Sequence, residues 1–153
     1  MSGFNGSIRP NPLAKILRAL FANGNELVDF GAGSGRVLFS AVAVGASRAY
    51  GYELPVNKGM KYVFDAAVKT SANQAQDCVE WFGKDISSLT ELNGSPSCAF
   101  SFWVGFPLPV QRHILQLCAE TESVQTTAFF EDSKWPDYVR GIMPVCADCV
   151  ALI

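Results

Sequence analysis

The chain has 153 residues, of which 49% are hydrophobic and 17% are charged, and its formal net charge at pH 7 is −2. This length suits a single domain with a substantial core, and the apolar fraction excludes an intrinsically disordered chain. The sequence contains no run of basic residues and no apolar stretch of ~18 residues, which argues against tight, unaided nucleic-acid binding and against a membrane span.

An arm of residues 1–9 precedes the first predicted helix. Asn11 is a candidate N-cap and Pro12 a candidate first helical residue. Apolar residues then follow at helical spacing: Leu13, Ile16, Leu17, Leu20 and Phe21. Residues 23–25 end this helix with a glycine. We expect the helix to pack beside a sheet; the alternative is that residues 7–12 cover a ligand as a lid.

The pattern of residues 27–55 predicts a strand at 27–32, a glycine-rich turn, a helix at 36–44 and a second strand at 48–54. Glu53 ends the second strand, 22 residues after Gly31. This is near the ~20-residue spacing of nucleotide-binding α/β folds. The glycines let backbone N–H groups approach a ligand closely, and an ionised Glu53 suits the two hydroxyls of a ribose.

The turn has the pattern D-x-G-x-G-x-G, which begins at Asp29. A hydride-transfer fingerprint would need a glycine at Arg36, and a Walker phosphate loop would need Gly-Lys-Ser/Thr. The pattern resembles motif I of the Rossmann-like S-adenosylmethionine (SAM) methyltransferases. The resemblance implies SAM as the cofactor, with Glu53 on its ribose; the alternative is a tight turn without a ligand. The residues that would form the SAM turn are Asp29, Gly31, Ala32, Gly33 and Gly35.

Asn57 is a candidate cap for the next helix, whose apolar stripe comprises Met60, Val63, Phe64, Ala67 and Val68. Three lysines lie off that stripe: Lys58, Lys61 and Lys69. We expect them on a solvated face; the alternative is that they contact an acidic partner.

Further strands are predicted at 78–82, 97–103, 124–131 and 144–153, with a helix at 110–119 and a helical turn at 135–141. Strands that alternate with helices indicate an α/β fold. We predict a Rossmann-like three-layer sandwich: a mainly parallel sheet of about six to seven strands with helices on both faces. We expect one domain, 1–153, in which 1–25 form the arm and first helix and 26–153 form the core.

Asp85 follows the third strand, where a carboxylate faces the ligand crevice of such sheets. We expect Asp85 to accept a hydrogen bond from the adenine amino group; the alternative is a helix cap. His113, the only histidine, is expected to be an ordinary helix residue. Glu131 and Asp132 end the predicted fifth strand. One of these carboxylates could meet an incoming lysine; the alternative is that they are solvated loop acids.

The order of segments resembles the non-SET histone-lysine methyltransferases, the disruptor-of-telomeric-silencing family and its small archaeal relatives. The similar stretches are 28–37, 51–53, 82–85 and 100–110. The resemblance implies that Phe106 forms the wall of an acceptor channel, which Phe102 and Trp103 would also line, and we predict Phe106 and Trp103 as the catalytic residues. The alternative is that these aromatic residues are simply core between sheet and helix. The chain has Phe102 and Trp103 where the eukaryotic family has two asparagines. It also lacks the Asn/Asp-Pro-Pro-Tyr/Phe motif of enzymes that methylate exocyclic base nitrogens.

We therefore predict a SAM-dependent methyltransferase that acts on a protein lysine, with no resident metal. The alternatives are a non-catalytic SAM-binding module in a regulatory or interaction role, and a small-molecule methyltransferase. We expect a protein substrate, no nucleic acid as direct substrate and no membrane. An unpaired last strand at the sheet edge could pair with a second copy, so a homodimer is a further prediction.

The five cysteines are odd in number and lie mostly in apolar runs: Cys78, Cys98, Cys118, Cys146 and Cys149. We expect buried, reduced thiols in an intracellular protein of the cytoplasm or nucleus, without a secretory signal. Zinc or redox chemistry at Cys146 and Cys149 is the less favoured alternative, because no second pair or nearby histidine accompanies them.

Overall fold

The computed structural model describes residues 9–20, 25–103 and 105–130. The first elements are α1 (Pro10–Leu20), β1 (Glu26–Phe30), α2 (Arg36–Ala43), β2 (Arg48–Glu53) and α3 (Lys58–Thr70). The remaining elements are α4 (Asn73–Gln76), β3 (Val79–Gly83), a 3₁₀ turn (Ile86–Ser88), β4 (Cys98–Phe102), α5 (Leu108–Glu120) and β5 (Thr126–Phe130). None of the helices in these ranges is long and apolar enough to cross a membrane.

The five described strands form one parallel sheet in the order β3-β2-β1-β4-β5. The chain builds outward from β1 to β3 and then returns to the other side of β1 with β4. Ligands of open α/β sheets bind outside the carboxyl ends of the strands at such a reversal. Gly31 directly follows β1 and Phe106 lies beyond β4. These two residues therefore mark the expected ligand crevice.

Alternate residues of the strands face two cores, because side chains along a strand alternate in direction. In β1, Leu27 belongs to the core under α1 and α2, whereas Val28 and Phe30 belong to the core that α5 covers. The two cores and the sheet between them make three layers. Helix α1 contributes its buried stripe of Leu13, Leu17 and Leu20.

The predicted Rossmann-like three-layer fold is confirmed, with five strands described where about six to seven were expected. The predicted helical turn at 135–141 and the sixth strand at 144–153 lie outside the described residues. The homodimer predicted through that strand stays a prediction. Residues 1–8 of the arm also lie outside the described ranges. Of the proposed lid segment 7–12, residues 7 and 8 are among them, whereas residues 10–12 belong to α1.

Details of two helices differ from the sequence-based prediction. Helix α5 begins at Leu108 rather than at residue 110, because Pro109 is compatible with the first turn of a helix. Val63 was expected in the buried stripe of α3, but its exposed fraction is 49%. Phe64 is the buried residue of this helix, and its ring lies against Gly35. The contact with the glycine turn therefore sets the rotation of α3.

Gly51 in β2 allows α2 and the turn to approach the sheet closely. A Cβ atom built on Gly51 would lie 2.6 Å from the Cβ of Ala32 and 2.7 Å from Cδ1 of Leu38. Both distances are too short for carbon–carbon contacts. The absence of a side chain at this position is thus a packing requirement of the first βαβ unit.

Substitution Gly51→Ala is expected to lower the free energy of unfolding by about 2 kcal/mol, because the added methyl overpacks the core. Gly59→Ala is the matched control: it adds the same methyl on α3, where nothing lies within 4 Å of the new atom. We expect that variant to be neutral or more stable by about 0.5 kcal/mol. Urea unfolding measures both, and equal midpoints for the two variants would contradict the packing argument.

Candidate functional site

Three glycines shape the turn after β1. Gly31, Gly33 and Gly35 have φ angles of 83°, 53° and 81°, in the region that side chains disfavour. The amides of Gly31 and Ala32 both donate to the carbonyl of Tyr52, at 2.9 and 3.0 Å. The carboxyl end of β2 therefore holds the start of the turn, and the glycines let the chain reverse into α2.

The carboxylate of Glu53 lies against this turn. Its Oε2 accepts a hydrogen bond from the amide of Gly33 at 2.7 Å. Its Oε1 accepts from the amide of Leu54 at 3.0 Å and from Nδ2 of Asn57 at 2.6 Å. The residue is 9% exposed. The glycine turn and the acid whose spacing predicted a ligand site are thus in direct contact, through Gly33, and three N–H donors fix the orientation of the carboxylate.

Asn57 precedes α3 as the predicted cap residue, but its side chain makes no capping hydrogen bond. It donates to Glu53 instead. Sequence reasoning missed this role, although the four-residue separation from Glu53 was a usable signal. Asn57 therefore links the entry of α3 to the site carboxylate.

Trp81 of β3 reaches the same turn from the neighbouring strand. Its Nε1–H donates to the carbonyl of Gly33 at 2.9 Å. Its ring packs beside Phe64, with ring centroids 6.3 Å apart, and Nζ of Lys61 lies 5.8 Å from its centroid. No local sequence pattern signals this contact, because the two partners are 48 residues apart.

Asp29 lies within β1, in register with Gly51 on one side and Phe100 on the other. Its side chain is 2% exposed. Burial, and secondarily the negative charge of Glu53, raises the pKa of Asp29 from 3.8 to about 8. The carboxyl group is therefore largely protonated at neutral pH in the ligand-free protein.

The two predicted catalytic aromatics pack against the same core under α5 but differ in what their rings contact. The ring of Phe106 lies against Gly31: a Cβ on that glycine would be 2.9 Å from Cζ of Phe106. Trp103 is 1% exposed and stacks on Phe129 at a centroid distance of 4.7 Å. The structure thus brings Phe106 to the turn and places Trp103 in the core under α5, so that Trp103 does not line an open channel as the sequence analysis expected.

Asp85 is exposed and caps the 3₁₀ turn. Its Oδ1 accepts from the amide of Ser87 at 2.9 Å and from the Ser87 hydroxyl at 2.7 Å. These bonds, the hydroxyl first, lower the pKa of Asp85. The alternative role that we considered, a cap, is therefore present. Both capping bonds go to Oδ1, so they do not occupy Oδ2. The hydrogen bond from the adenine amino group to Asp85 therefore stays a prediction.

Two other features near this edge lie apart from the glycine turn. A surface cavity of about 330 Å³ is lined by Lys84 and residues 88–93. Nε2 of His113 lies 2.8 Å from the carbonyl of Leu89, so this histidine ties α5 to the same loop. The residues at 131–132 and the cysteines at 146 and 149 lie outside the described ranges. Among the described residues, no cluster of three metal-ligating side chains occurs.

Neither a protein-family model nor a curated protein matches the sequence. Solved structures do resemble the chain. The glycopeptide N-methyltransferase MtfA complexed with SAM has 13% identity and a TM-score of 0.61, over 77% of this chain and 47% of that one. The 23S rRNA methyltransferase ErmE has 15% identity and a TM-score of 0.58, over 80% of this chain and 46% of that one.

The methyltransferase domain of bacterial CtHen1 is a third such structure, with 12% identity and a TM-score of 0.61, over 78% of this chain and 62% of that domain. At these identities the likeness shows the fold, so the chain has the Rossmann-like fold of these methyltransferases. The chain spans only about half of the length of MtfA and of ErmE.

The protonation of Asp29 predicts a pH-dependent stability. Its pKa is higher in the folded chain than in the unfolded one, so the unfolded chain loses the proton first. The free energy of unfolding should therefore fall as the pH rises from about 4 to about 8. Asp29→Asn keeps the shape without the charge, and should be more stable than the native chain at pH 8 by about 2–4 kcal/mol.

Urea unfolding at pH 5, 6.5 and 8 measures this difference. Glu53→Gln serves as the comparison, because it removes the neighbouring charge and should lower the pKa of Asp29 without abolishing its titration. If native chain and Asp29→Asn kept a constant stability difference over this range, the protonated state of Asp29 would be refuted.

Proposed function

We propose that the chain is a SAM-dependent methyltransferase that binds SAM between the glycine turn and Glu53. The observation that carries the proposal is the direct contact of the Gly33 amide with the Glu53 carboxylate at the reversal of the sheet. The fold is shared with MtfA, whose structure is complexed with SAM. The glycine turn, the Glu53 carboxylate and the reversal of strand order all lie at the same edge of the sheet. This coincidence supports a nucleoside ligand over a turn that binds nothing.

The carboxylate of Glu53 would accept hydrogen bonds from the two ribose hydroxyls. Its three present donors occupy three of the about four acceptor directions of a carboxylate, so one hydroxyl would take the open direction and the other would share or replace a present donor. Leu54 follows it with 43% of its surface exposed, so it offers an apolar face for the adenine ring. Asp85, whose Oδ1 is the capping atom, would use Oδ2 for the adenine amino group.

The methionine part of SAM carries an ammonium and a sulfonium, and Asp29 is the acid nearest to the start of the turn in sequence. A cation in this crevice favours the ionised form of a nearby carboxyl group. We therefore expect Asp29 to ionise when the ligand enters. The chain's own contribution to catalysis is then positioning: the acceptor's lone pair must meet the methyl carbon in line with the C–S bond.

Held by Glu53 and the glycine turn, SAM would supply the methyl group: the acceptor atom would bond to the methyl carbon as the C–S bond breaks, the electron pair of that bond would stay on sulfur, and one proton of the acceptor would pass to solvent. Phe106 lies at the carboxyl ends of β1 and β4, where the methyl group would face the acceptor. An apolar ring there excludes water from the transfer.

We further propose a protein lysine as the acceptor, on the strength of the resemblance to the non-SET lysine methyltransferases. A free lysine has a pKa of ~10.4, and apolar surroundings favour its neutral, nucleophilic form. The net charge of −2 argues against an extended nucleic-acid substrate. We propose that the protein is intracellular, and the reduced thiols of Cys78, Cys98 and Cys118 among the described residues support this proposal.

A non-catalytic SAM-binding module is the second candidate. It is favoured by Phe102 and Trp103, which occupy the place of the family's two asparagines while Trp103 is buried. A small-molecule methyltransferase is the third candidate, since positioning at Phe106 does not by itself select a macromolecule.

Calorimetric titration with SAM and with its demethylated product should show micromolar binding to the native chain. Glu53→Ala should weaken that binding by about 100-fold, because it removes charge-assisted bonds to the ribose. Glu80→Ala is the matched control: it removes a carboxylate of β3 that pairs with Arg48 at 3.3 Å, away from the turn. Lack of binding to the native chain, or equal binding by both variants, would refute the proposed site.

Isotopically labelled methyl transfer identifies the acceptor. With SAM labelled in its methyl group and a cell extract, a lysine methyltransferase should produce labelled methyl-lysine after protein hydrolysis. Label in an extract freed of protein would indicate a small-molecule acceptor instead. SAM binding without any labelled product would indicate the non-catalytic module.

A further inference from the structure

We propose that Trp81 is a positioning residue for the cofactor turn, because its indole N–H fixes the peptide group that follows Gly33. The proposal rests on the proposed function, since it concerns how the same turn receives SAM. The proposal gives a positioning role to a residue in the middle of β3, away from the glycine motif and away from the carboxyl ends of the strands.

Gly33 is held on both sides by side chains from two neighbouring strands. Its N–H belongs to the peptide group shared with Ala32 and donates to Glu53 at 2.7 Å. Its carbonyl belongs to the next peptide group and accepts from Trp81 at 2.9 Å. Glu53 and Trp81 thus fix two consecutive peptide planes. A glycine with φ of 53° would otherwise rotate more freely than any other residue.

The space around Gly33 indicates why two hydrogen bonds, and not packing, hold this residue. A Cβ atom built there would have no atom within 4 Å, whereas a Cβ on Gly31 or Gly35 would meet aromatic rings at 2.9 and 2.5 Å. Packing therefore fixes the two outer glycines but does not fix the middle one. The hydrogen bonds from Glu53 and Trp81 provide that restraint and leave the face above Gly33 accessible to a ligand.

The indole ring packs against Phe64 of α3. Phe64 packs beside it and also lies against Gly35, and Lys61 is placed over both rings, 5.7 Å from the Phe64 centroid and 5.8 Å from that of Trp81. A phenylalanine at position 81 would keep an aromatic ring in this group. Only the indole N–H would be lost, which separates the hydrogen bond from the packing.

The experiment compares Trp81→Phe with Lys61→Met, which removes the cation above the ring and leaves the indole donor in place. Calorimetry with the demethylated product of SAM should show an affinity about 3- to 10-fold lower for Trp81→Phe and within about 2-fold of native for Lys61→Met. Thermal unfolding shows whether each variant is folded. The indole ¹H–¹⁵N resonance of Trp81 in the native chain should exchange slowly with solvent and shift when the ligand binds.

The outcomes separate the two claims. If the native chain does not bind the probe, the proposed function fails, whatever the state of Trp81. If the native chain binds and Trp81→Phe binds equally well, or if the indole resonance of Trp81 is unchanged by the ligand, the positioning role is overturned and the proposed function stands. An equal loss in Lys61→Met would also overturn it, since ring packing rather than the hydrogen bond would then control affinity.

Discussion

The hydrogen bond from the Gly33 amide to the Glu53 carboxylate is the contact on which the site depends. It joins the turn after β1 to the end of β2, over 20 residues, at a distance of 2.7 Å. A charged acceptor makes such a bond stronger than one between neutral groups. The carboxylate is held in turn by the amide of Leu54 and by Asn57, which fix its orientation. For the SAM binding proposed above, a carboxylate that is already oriented would lose less conformational entropy.

Two acids of unlike character share this crevice. Glu53 is held by three N–H donors, whereas Asp29 is enclosed within β1 with its pKa raised to about 8 by burial and by Glu53. A buried carboxyl group with a raised pKa lowers stability at pH values above its unfolded pKa. The SAM binding proposed above would bring a cation to this carboxyl group and offset part of that cost. The aromatic group of Phe64 and Trp81 also supports the turn: Phe64 lies against Gly35, and Trp81 donates to the carbonyl of Gly33.

The sequence predicted the parts of the site that local patterns encode. The glycines and the spacing to Glu53 placed turn and carboxylate together, because parallel strands end at one edge of a sheet. Trp81 and Asn57 could not be found this way, since their partners depend on side-chain directions across separate elements. Helical periodicity likewise could not tell which edge of the α3 stripe is covered, and Val63 proved exposed. Sequence patterns also could not tell that Trp103 is enclosed whereas the ring of Phe106 reaches Gly31, because both residues lie beyond β4 and pack against the same core.

The most direct test of this account is a crystal structure of the chain with the demethylated product of SAM. The account predicts that both ribose hydroxyls lie within hydrogen-bonding distance of the Glu53 carboxylate, with the amino-acid part of the ligand along residues 31–33. A ligand bound elsewhere, for example in the cavity beside Lys84, would contradict it. So would a ribose that makes no contact with Glu53 while the carboxylate keeps its bond to Gly33.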